Sequence, residues 1–498
     1  MSRRISGGRQ VTAVLVGLLV MAGAAPAQTT WYVDDDAPND PGPGDPTVSD
    51  PLEDGSAEHP FDAIQEGVDA AANGDTVLAL DGIYTGDGNR DIDLAGRLIT
   101  VRSANGPDTC IIDCQGTHND PHRGFYFHSR ETTGAVLDGL TIAGGYITTW
   151  GGGGGIFCQN RSGPTITNCI ITENTTQEQW GGGISCYDAS SPFILNCVIT
   201  ANAAATGGGI STEASSPTIF ACVITDNTVG SSGGGIHCGG GSPTITNCVI
   251  ADNGADSGGG IRCASGSPTI RNCLIAGNLA DSLSGGGMYS AGTPTITNCT
   301  FTANEADDYG GGMYCFNSTL TVSNCIFWNN TALVPELAVW WDSHLTILYS
   351  DVQGGEADIY VGSNCTLNWG DGNIDADPLF ADPAGADYHL TADSPCVDTG
   401  DPAFVPQPDE RDIDGQMRVW DGDDDGQWRV DMGADEFASH CPGDLDGDGD
   451  VDLSDLATLL SNYGMTSGAQ YEDGDLDGDG DVDLTDLAAL LAVYGSTC

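Results

Sequence analysis

One pattern recurs seven times between Gly151 and about Asn330: a run of glycines, an Ile or Met, a turn, and a cysteine followed by apolar residues. The glycines lead into Ile156, Ile184, Ile210, Ile236, Ile261, Met288 and Met313, at spacings of 28, 26, 26, 25, 27 and 25 residues. Cysteines follow at 169, 197, 222, 248, 273, 299 and 325. Five residues after each stands an asparagine: Asn174, Asn202, Asn227, Asn253, Asn278, Asn304 and Asn330. Between the landmarks lie short β-prone runs such as Pro164-Thr-Ile-Thr and Pro243-Thr-Ile-Thr, with too much Gly and Pro for helix. A period near 25 residues built only of strands and turns fits one coil of a parallel β-solenoid, each strand pairing with its equivalent one coil along.

Stacked coils place equivalent residues about 4.8 Å apart, so the recurring Ile, Cys and Asn are expected to form ladders along the axis. Apolar ladders make the core. The asparagine preceding most of the cysteines (Asn168, Asn196, Asn247, Asn272, Asn298 and Asn324, with Ala221 departing) suits a left-handed corner and an amide bond to the next coil. Glycine permits the other sharp corner.

These residues resemble the right-handed parallel β-helix proteins of the pectate-lyase-like superfamily, over roughly Pro60 to Pro395. The resemblance implies an all-β fold. It does not select one activity, because that superfamily includes lyases, glycoside hydrolases, epimerases, phage tailspikes and adhesins.

The 498-residue chain carries 71 acidic residues against 14 basic ones, all arginine, for a net charge of −57. Such a surface repels nucleic acid and anionic membrane and attracts divalent cations. Arg3, Arg4 and Arg9 precede an apolar run from Val11 to Ala22, and Ala25-Pro26-Ala27 offers a cleavage site. Residues 1–27 therefore read as a signal peptide, and the protein is expected to be secreted, extracellular or held at the cell surface. Eighteen cysteines in a secreted chain suggest disulfides. Twelve of them, however, occupy two repeat positions, the seven above plus Cys158, Cys186, Cys238, Cys263 and Cys315. Cysteine stacks well as a small apolar filler, so mostly free buried thiols are expected, with inter-coil disulfides as the alternative.

In order, the chain divides into a strand and loop at 28–59, the solenoid at 60–374 with regular repeats at 151–330, an Asp/Pro/Gly-rich closing segment at 375–440, and a distinct unit at 441–498. The spacing of Phe61, Ile64, Val68 and Ala71 predicts a helix ended by Gly74-Asp75, ahead of a strand at Thr76–Leu80. Such a helix caps the open end of a solenoid and protects its strand edge.

Residues 441–498 contain a twelve-residue loop twice, Asp444 to Asp455 and Asp475 to Asp486, offset by 31. Side-chain oxygens at positions one, three and five, a carbonyl at seven and a carboxylate at twelve make an EF-hand-type calcium loop. The acids are Asp444, Asp446, Asp448, Asp450, Asp452 and Asp455 in the first loop, and Asp475, Asp477, Asp479, Asp481, Asp483 and Asp486 in the second. An apolar helix follows each loop and ends at Tyr-Gly. The duplicated loop-helix unit, with Asp at position twelve, is similar to a type I dockerin. That resemblance implies two calcium ions and a cohesin or cell-surface scaffold as partner, contacted through Leu453-Ser454 and Leu484-Thr485, where the family's usual Ser-Thr pair is absent. Antiparallel docking of the two halves would bring Cys441 and Cys498 together, and a disulfide between them is expected.

On the solenoid, the residue between the inward Ile and Cys of each glycine-led strand should face outward. These are Phe157, Ser185, Ser211, His237, Arg262, Tyr289 and Tyr314. Asp256, Asp281 and Asp307 each lie three residues after a repeat asparagine on three adjacent coils. Stacked carboxylates repel unless a cation lies between them, so a further calcium ion is a candidate there. The same spacing also fits a solvated acidic turn. Pectate lyases place calcium-binding acids and a basic arginine on this kind of surface, so the resemblance makes Asp256, Asp281, Asp307 and Arg262 the candidate catalytic set. Trp150, Trp180 and Tyr309 beside the glycine runs suit either sugar platforms or corner packing. Two classes remain open: a monomeric polysaccharide lyase or glycoside hydrolase delivered by its dockerin, and a non-catalytic adhesin or structural β-helix.

Overall fold

A computed structural model describes residues 28–35, 52–148, 151–177, 179–334, 336–408, 410–422, 426–438, 443–445, 451–469, 471–476 and 480–495. The signal peptide expected at 1–27, Cys441 and Cys498 lie outside them. No helix among the described residues is long and apolar enough to cross a membrane.

The chain winds as a right-handed parallel β-solenoid whose coils contribute to four sheets, of 13, 11, 10 and 7 strands. The ten-stranded sheet stacks Ile156, Ile184, Ile210, Ile236, Ile261, Met288 and Met313 residue for residue, as the sequence spacing requires. The thirteen-stranded sheet does the same with Ile166, Ile194, Ile219, Ile245, Ile270, Ile296 and Val322. All these side chains are buried in one continuous core, which also takes in Cys169, Cys197, Cys222, Cys248, Cys273, Cys299 and Cys325. Every described cysteine is a free thiol. The ladder cysteines are buried among these apolar side chains and act as apolar filler.

The corners follow from two asparagine ladders. Asn168, Asn196, Asn247, Asn272, Asn298 and Asn324 all adopt positive φ, and Ala221 follows them at 51°. The Nδ2 groups of Asn298 and Asn324 donate to the Oδ1 atoms of Asn272 and Asn298, each at 3.0 Å. In the second ladder each asparagine from Asn202 to Asn330 accepts, through one buried Oδ1, bonds from the backbone N and the side-chain Nδ2 of the preceding coil's asparagine, as Asn253 does from Asn227 at 3.0 Å and 3.0 Å. A side-chain ladder thus continues the sheet hydrogen bonding through a corner that strands cannot span.

That second ladder ends on a carboxylate. Buried Glu336 accepts from Asn330 N at 3.1 Å and Asn330 Nδ2 at 2.6 Å. Its pKa is pushed up to about 7, chiefly by burial. A folded-state pKa raised above the unfolded value gives stability that is complete below about 4.5 and lost as pH rises through about 7. The melting temperature should therefore fall between mildly acidic and neutral pH. Glu336→Gln should flatten that slope by on the order of 2 kcal/mol, measured by calorimetry across the range.

At the N-terminal end the helix forms at Ile64–Ala70 and buries Ile64, Gly67 and Val68 against the first two strands, Thr30–Val33 and Thr76–Ala79. The closing segment is a strap along the flank of the rod. Asn247 Nδ2 donates to Arg411 O, Arg271 pairs with Glu410 at 3.1 Å, Ala434 N donates to Thr300 Oγ1, and Gly433 N donates to Asn324 O. These anchors extend over four coils. A small apolar cluster of Ile326, Leu390, Cys396, Val397 and Met432 seals the strap to the solenoid.

Candidate functional site

The glycine runs shape the ten-stranded face. The leading glycine of each run lies in the left-handed region, as at Gly207 (φ 65°) and Gly233 (φ 70°). There a Cβ would lie 2.8 Å from Ser211 Cβ and 3.0 Å from His237 Cβ. The backbone thus folds back over the outward residue of its own strand, a close approach only glycine allows.

Phe157, Ser185, Ser211, His237, Arg262, Tyr289 and Tyr314 stack in register as the sequence requires and continue into Ala338 and Tyr360. Facing outward does not make the stripe exposed. Phe157, Ser185 and Ser211 are covered by those glycine corners, His237 and Tyr314 are each 7% exposed, and the stripe opens at Arg262 and Tyr289 and again at Tyr360.

At that opening the Arg262 guanidinium lies 3.8 Å from the centre of the Tyr289 ring, and its Nη1 donates to Ser257 Oγ at 2.7 Å. Burial holds its pKa below the usual arginine range. One coil earlier, His237 Nε2 lies 3.4 Å from Glu213 Oε1, while buried His237 Nδ1 and Ser211 Oγ have no hydrogen-bond partner among the described residues. Gly239 makes room for the Glu213 carboxylate, which a Cβ there would meet at 2.2 Å. Beyond Arg262 the face becomes aromatic: Tyr289 packs on Tyr314 at 5.0 Å, Tyr309 on Trp340 at 5.5 Å, Trp340 on Tyr360 at 5.0 Å, and Phe316 on Trp341, which is 62% exposed. An imidazole with an acidic partner and a desolvated guanidinium are groups able to handle protons, and they stand next to a run of flat aromatic surfaces.

Asp256, Asp281 and Asp307 occupy equivalent positions after the paired Ala255, Ala280 and Ala306. Their carboxylates do not form a three-ligand cluster: among the described residues, the groups of three or more His, Cys, Asp or Glu side chains whose ligand atoms all lie within 4.8 Å of one another do not include them. The paired backbone ends just before each aspartate, and the turns beyond differ in length. Asp281 and Asp307 are exposed, and Ser282 Oγ donates to Asp281. Arg262 has none of the three as an ion-pair partner among the described residues. Trp180 packs on Tyr187 at 6.0 Å, and Trp150 lies outside the described residues.

Glu213, Trp340, Tyr360 and Phe316 escaped the sequence reading. Glu213 follows the repeat position where most coils carry cysteine and this one Thr212, and the three aromatics fall at or beyond the last regular coil, where the period lapses.

In the C-terminal unit, helices Leu453–Asn462 and Leu484–Val493 each begin on an aspartate cap, Asp452 and Asp483, closed by Asp455 and Asp486. The halves match: Leu445 N donates to Asp455 at 2.6 Å and Leu476 N to Asp486 at 2.7 Å. Oxygens of Asp481, Asp483 and Asp486 lie within 4.8 Å of one another, an all-oxygen set that fits a hard divalent cation. Asp446, Asp448, Asp450, Asp477 and Asp479 lie outside the described residues. Leu453 and Leu484, Leu460 and Leu491, and Tyr463 and Tyr494 are exposed in pairs offset by 31 residues. In the strap, His389 sits between Asp387 and Asp414, with Asp435 near. The Asp414 and Asp387 bonds push the imidazole up to about 10, so it is a charged structural link.

A family model described as a right-handed β-helix region matches residues 81–242 and 221–368. No curated protein is detectably similar in sequence. Among solved structures, the pectate lyase Pel9A is similar with 14% identity and a TM-score of 0.50, covering 82% of this chain and 96% of its own. A rhamnogalacturonan lyase gives 13% identity and a TM-score of 0.37, covering 71% and 90%. An alginate lyase from Paenibacillus sp. gives 14% and 0.28, covering 61% and 96%.

Proposed function

Because the chain belongs to the right-handed β-helix family, whose model matches more than half of it, we propose that it is a secreted, carbohydrate-active protein that holds a polysaccharide along its ten-stranded face. The observation carrying this reading is the opening at Arg262, stacked on Tyr289 and continued by Trp340 and Tyr360. Arg262, with its lowered pKa, and His237, oriented by Glu213, are the groups that would take or return a proton. The rings would bind the sugar. Incubating the full chain with pectins, alginates and sulfated glycans, and following both unsaturated products and new reducing ends, tests this reading. Arg262→Ala should lower cleavage by at least about 100-fold. Binding without cleavage by the native chain would instead favour the adhesin class.

We further propose that residues 441–498 are a type I dockerin that tethers this cargo to a cohesin or cell-surface scaffold. Asp444, Asp455, Asp475, Asp481, Asp483 and Asp486, with the remaining loop aspartates, would hold two calcium ions. The ions would offset carboxylate repulsion that otherwise opposes closing the loops. The paired exposed Leu453 and Leu484 support a symmetric apolar contact with the partner. Chelation should cost the two helices their circular-dichroism signal and leave the solenoid folded, and calcium should restore it. Calorimetry showing no calcium uptake would end the dockerin reading.

A further inference from the structure

The arginines are unevenly spread. Six of the 14 basic residues (Arg90, Arg97, Arg102, Arg123, Arg130 and Arg161) fall within residues 90–161 of a chain whose net charge is −57. Arg130 and Arg161, with His128, Asn160, Ser129 and Asp188, line a cavity of about 510 Å³ at the corner after the ten-stranded sheet. Both arginines are exposed, and neither has an ion-pair partner among the described residues, whereas Arg90, Arg97, Arg271 and Arg418 are all paired.

The corner is built to hold them. Buried Glu131 accepts from Gly96 N, Ser129 N and Ser162 Oγ, the last at 2.7 Å, and Ser162 Oγ accepts from Arg130 N at 3.2 Å. Asn160 Nδ2 donates to His128 O at 3.1 Å. These bonds tie two successive turns together and set Arg130 and Arg161 at φ 64° and 67°, a conformation that costs a non-glycine residue about 1–2 kcal/mol. The next coils carry Ala189 and Ala214 at this corner, so the geometry does not itself call for arginine. His128 is stacked on Tyr126 at 4.2 Å and bound to Asp93 at 3.0 Å, which fixes the cavity wall.

We propose that this cavity is a subsite for the oxyanion of an acidic polysaccharide, a uronate carboxylate or a sulfate ester, bound by Arg130 and Arg161, with Asp188 and Asn160 taking sugar hydroxyls. It rests on the carbohydrate reading above and specifies the substrate class. Five coil steps separate the strand before His128 from that of Arg262, about 24 Å at the strand spacing, so one polymer along the rod would reach both places.

The test measures binding of the full chain to oligogalacturonate, oligomeric alginate, a sulfated galactan oligomer, a neutral xylan oligomer and inorganic sulfate, by calorimetry at low and raised salt. Arg130→Gln and Arg161→Gln should each weaken the acidic oligomers about tenfold, leave xylan unchanged and reduce the salt dependence. Arg102→Gln, an exposed arginine outside the cavity, should change nothing. A preference for uronate or for sulfated oligomers identifies which oxyanion the site takes. Unchanged acidic-oligomer binding in both cavity variants, or native binding of xylan as tight as that of acidic oligomers, would overturn the subsite. Acidic binding without cleavage keeps the subsite and removes catalysis. Cleavage with unchanged KM in both variants keeps the function and removes the subsite.

Discussion

Asn253→Leu is expected to lower the stability of the solenoid by about 1–3 kcal/mol, the cost of leaving a buried polar group unsatisfied. In the native chain Asn253 Nδ2 donates to Ile224 O at 2.8 Å and to Asn278 Oδ1 at 3.0 Å, while its Oδ1 accepts from both Asn227 N and Asn227 Nδ2. Leucine fills a similar volume and offers neither donor nor acceptor. Asn227 N–H is then stranded in a corner with no exposure to water, while the Ile224 carbonyl keeps its place in the ladder with the next coil. Asn227 Nδ2 keeps Ile199 O and Thr225 O, so the loss is not the sum of every bond. Denaturant titration reads the size, and hydrogen exchange should localise the opening to the coils on either side. Asn253→Asp separates hydrogen bonding from volume: it keeps the acceptor for Asn227 but turns a carboxylate toward Asn278 Oδ1. Its deficit should shrink on acidification. An Asn253→Leu protein as stable as the parent would mean that the ladder is incidental to the fold.

The second large effect is expected in the strap. Arg418 is fully buried, pairs with Glu436 at 3.4 Å and donates to Asp431 O at 3.2 Å and Gly433 O at 2.5 Å. Burial raises the pKa values of Asp412, Asp431 and Glu436 around it, and the guanidinium opposes that rise in all three. Arg418→Met removes the cation and leaves the acids, and breaking a buried pair from one side costs about 3–5 kcal/mol. The strap should detach from the coils of Asn247 to Asn324, uncovering Met432 and Ile326. Limited proteolysis within 400–437 reads this. Because carboxyls with raised pKa values stabilise the fold in acid and lose that contribution as pH rises, lowering the pH should re-dock the variant. Adding Glu436→Gln should recover part of the loss, whereas an undiminished deficit in the double variant would show that the guanidinium acts only through its backbone bonds.

Much of this architecture was legible in the repeat. Once Ile156 to Met313 recur at one spacing, stacking is the only way to bury every apolar face, so strand register, the cysteine core and both asparagine ladders follow from local rules repeated coil by coil. The outward stripe was legible in order and not in exposure. Alternation says which side of a strand Ser211 and His237 occupy, but the glycine corner that covers them comes from the preceding turn. Asp256, Asp281 and Asp307 show the same limit: register sets the height of a residue along the rod, while turns of unequal length set where its carboxylate points. The pairing of His237 with Glu213, the strap across Asn247 and Asn324, and the gathering of Arg130 with Arg161 join residues between 24 and 165 positions apart. No periodicity encodes those contacts, and only the winding of the chain into coils brings them together.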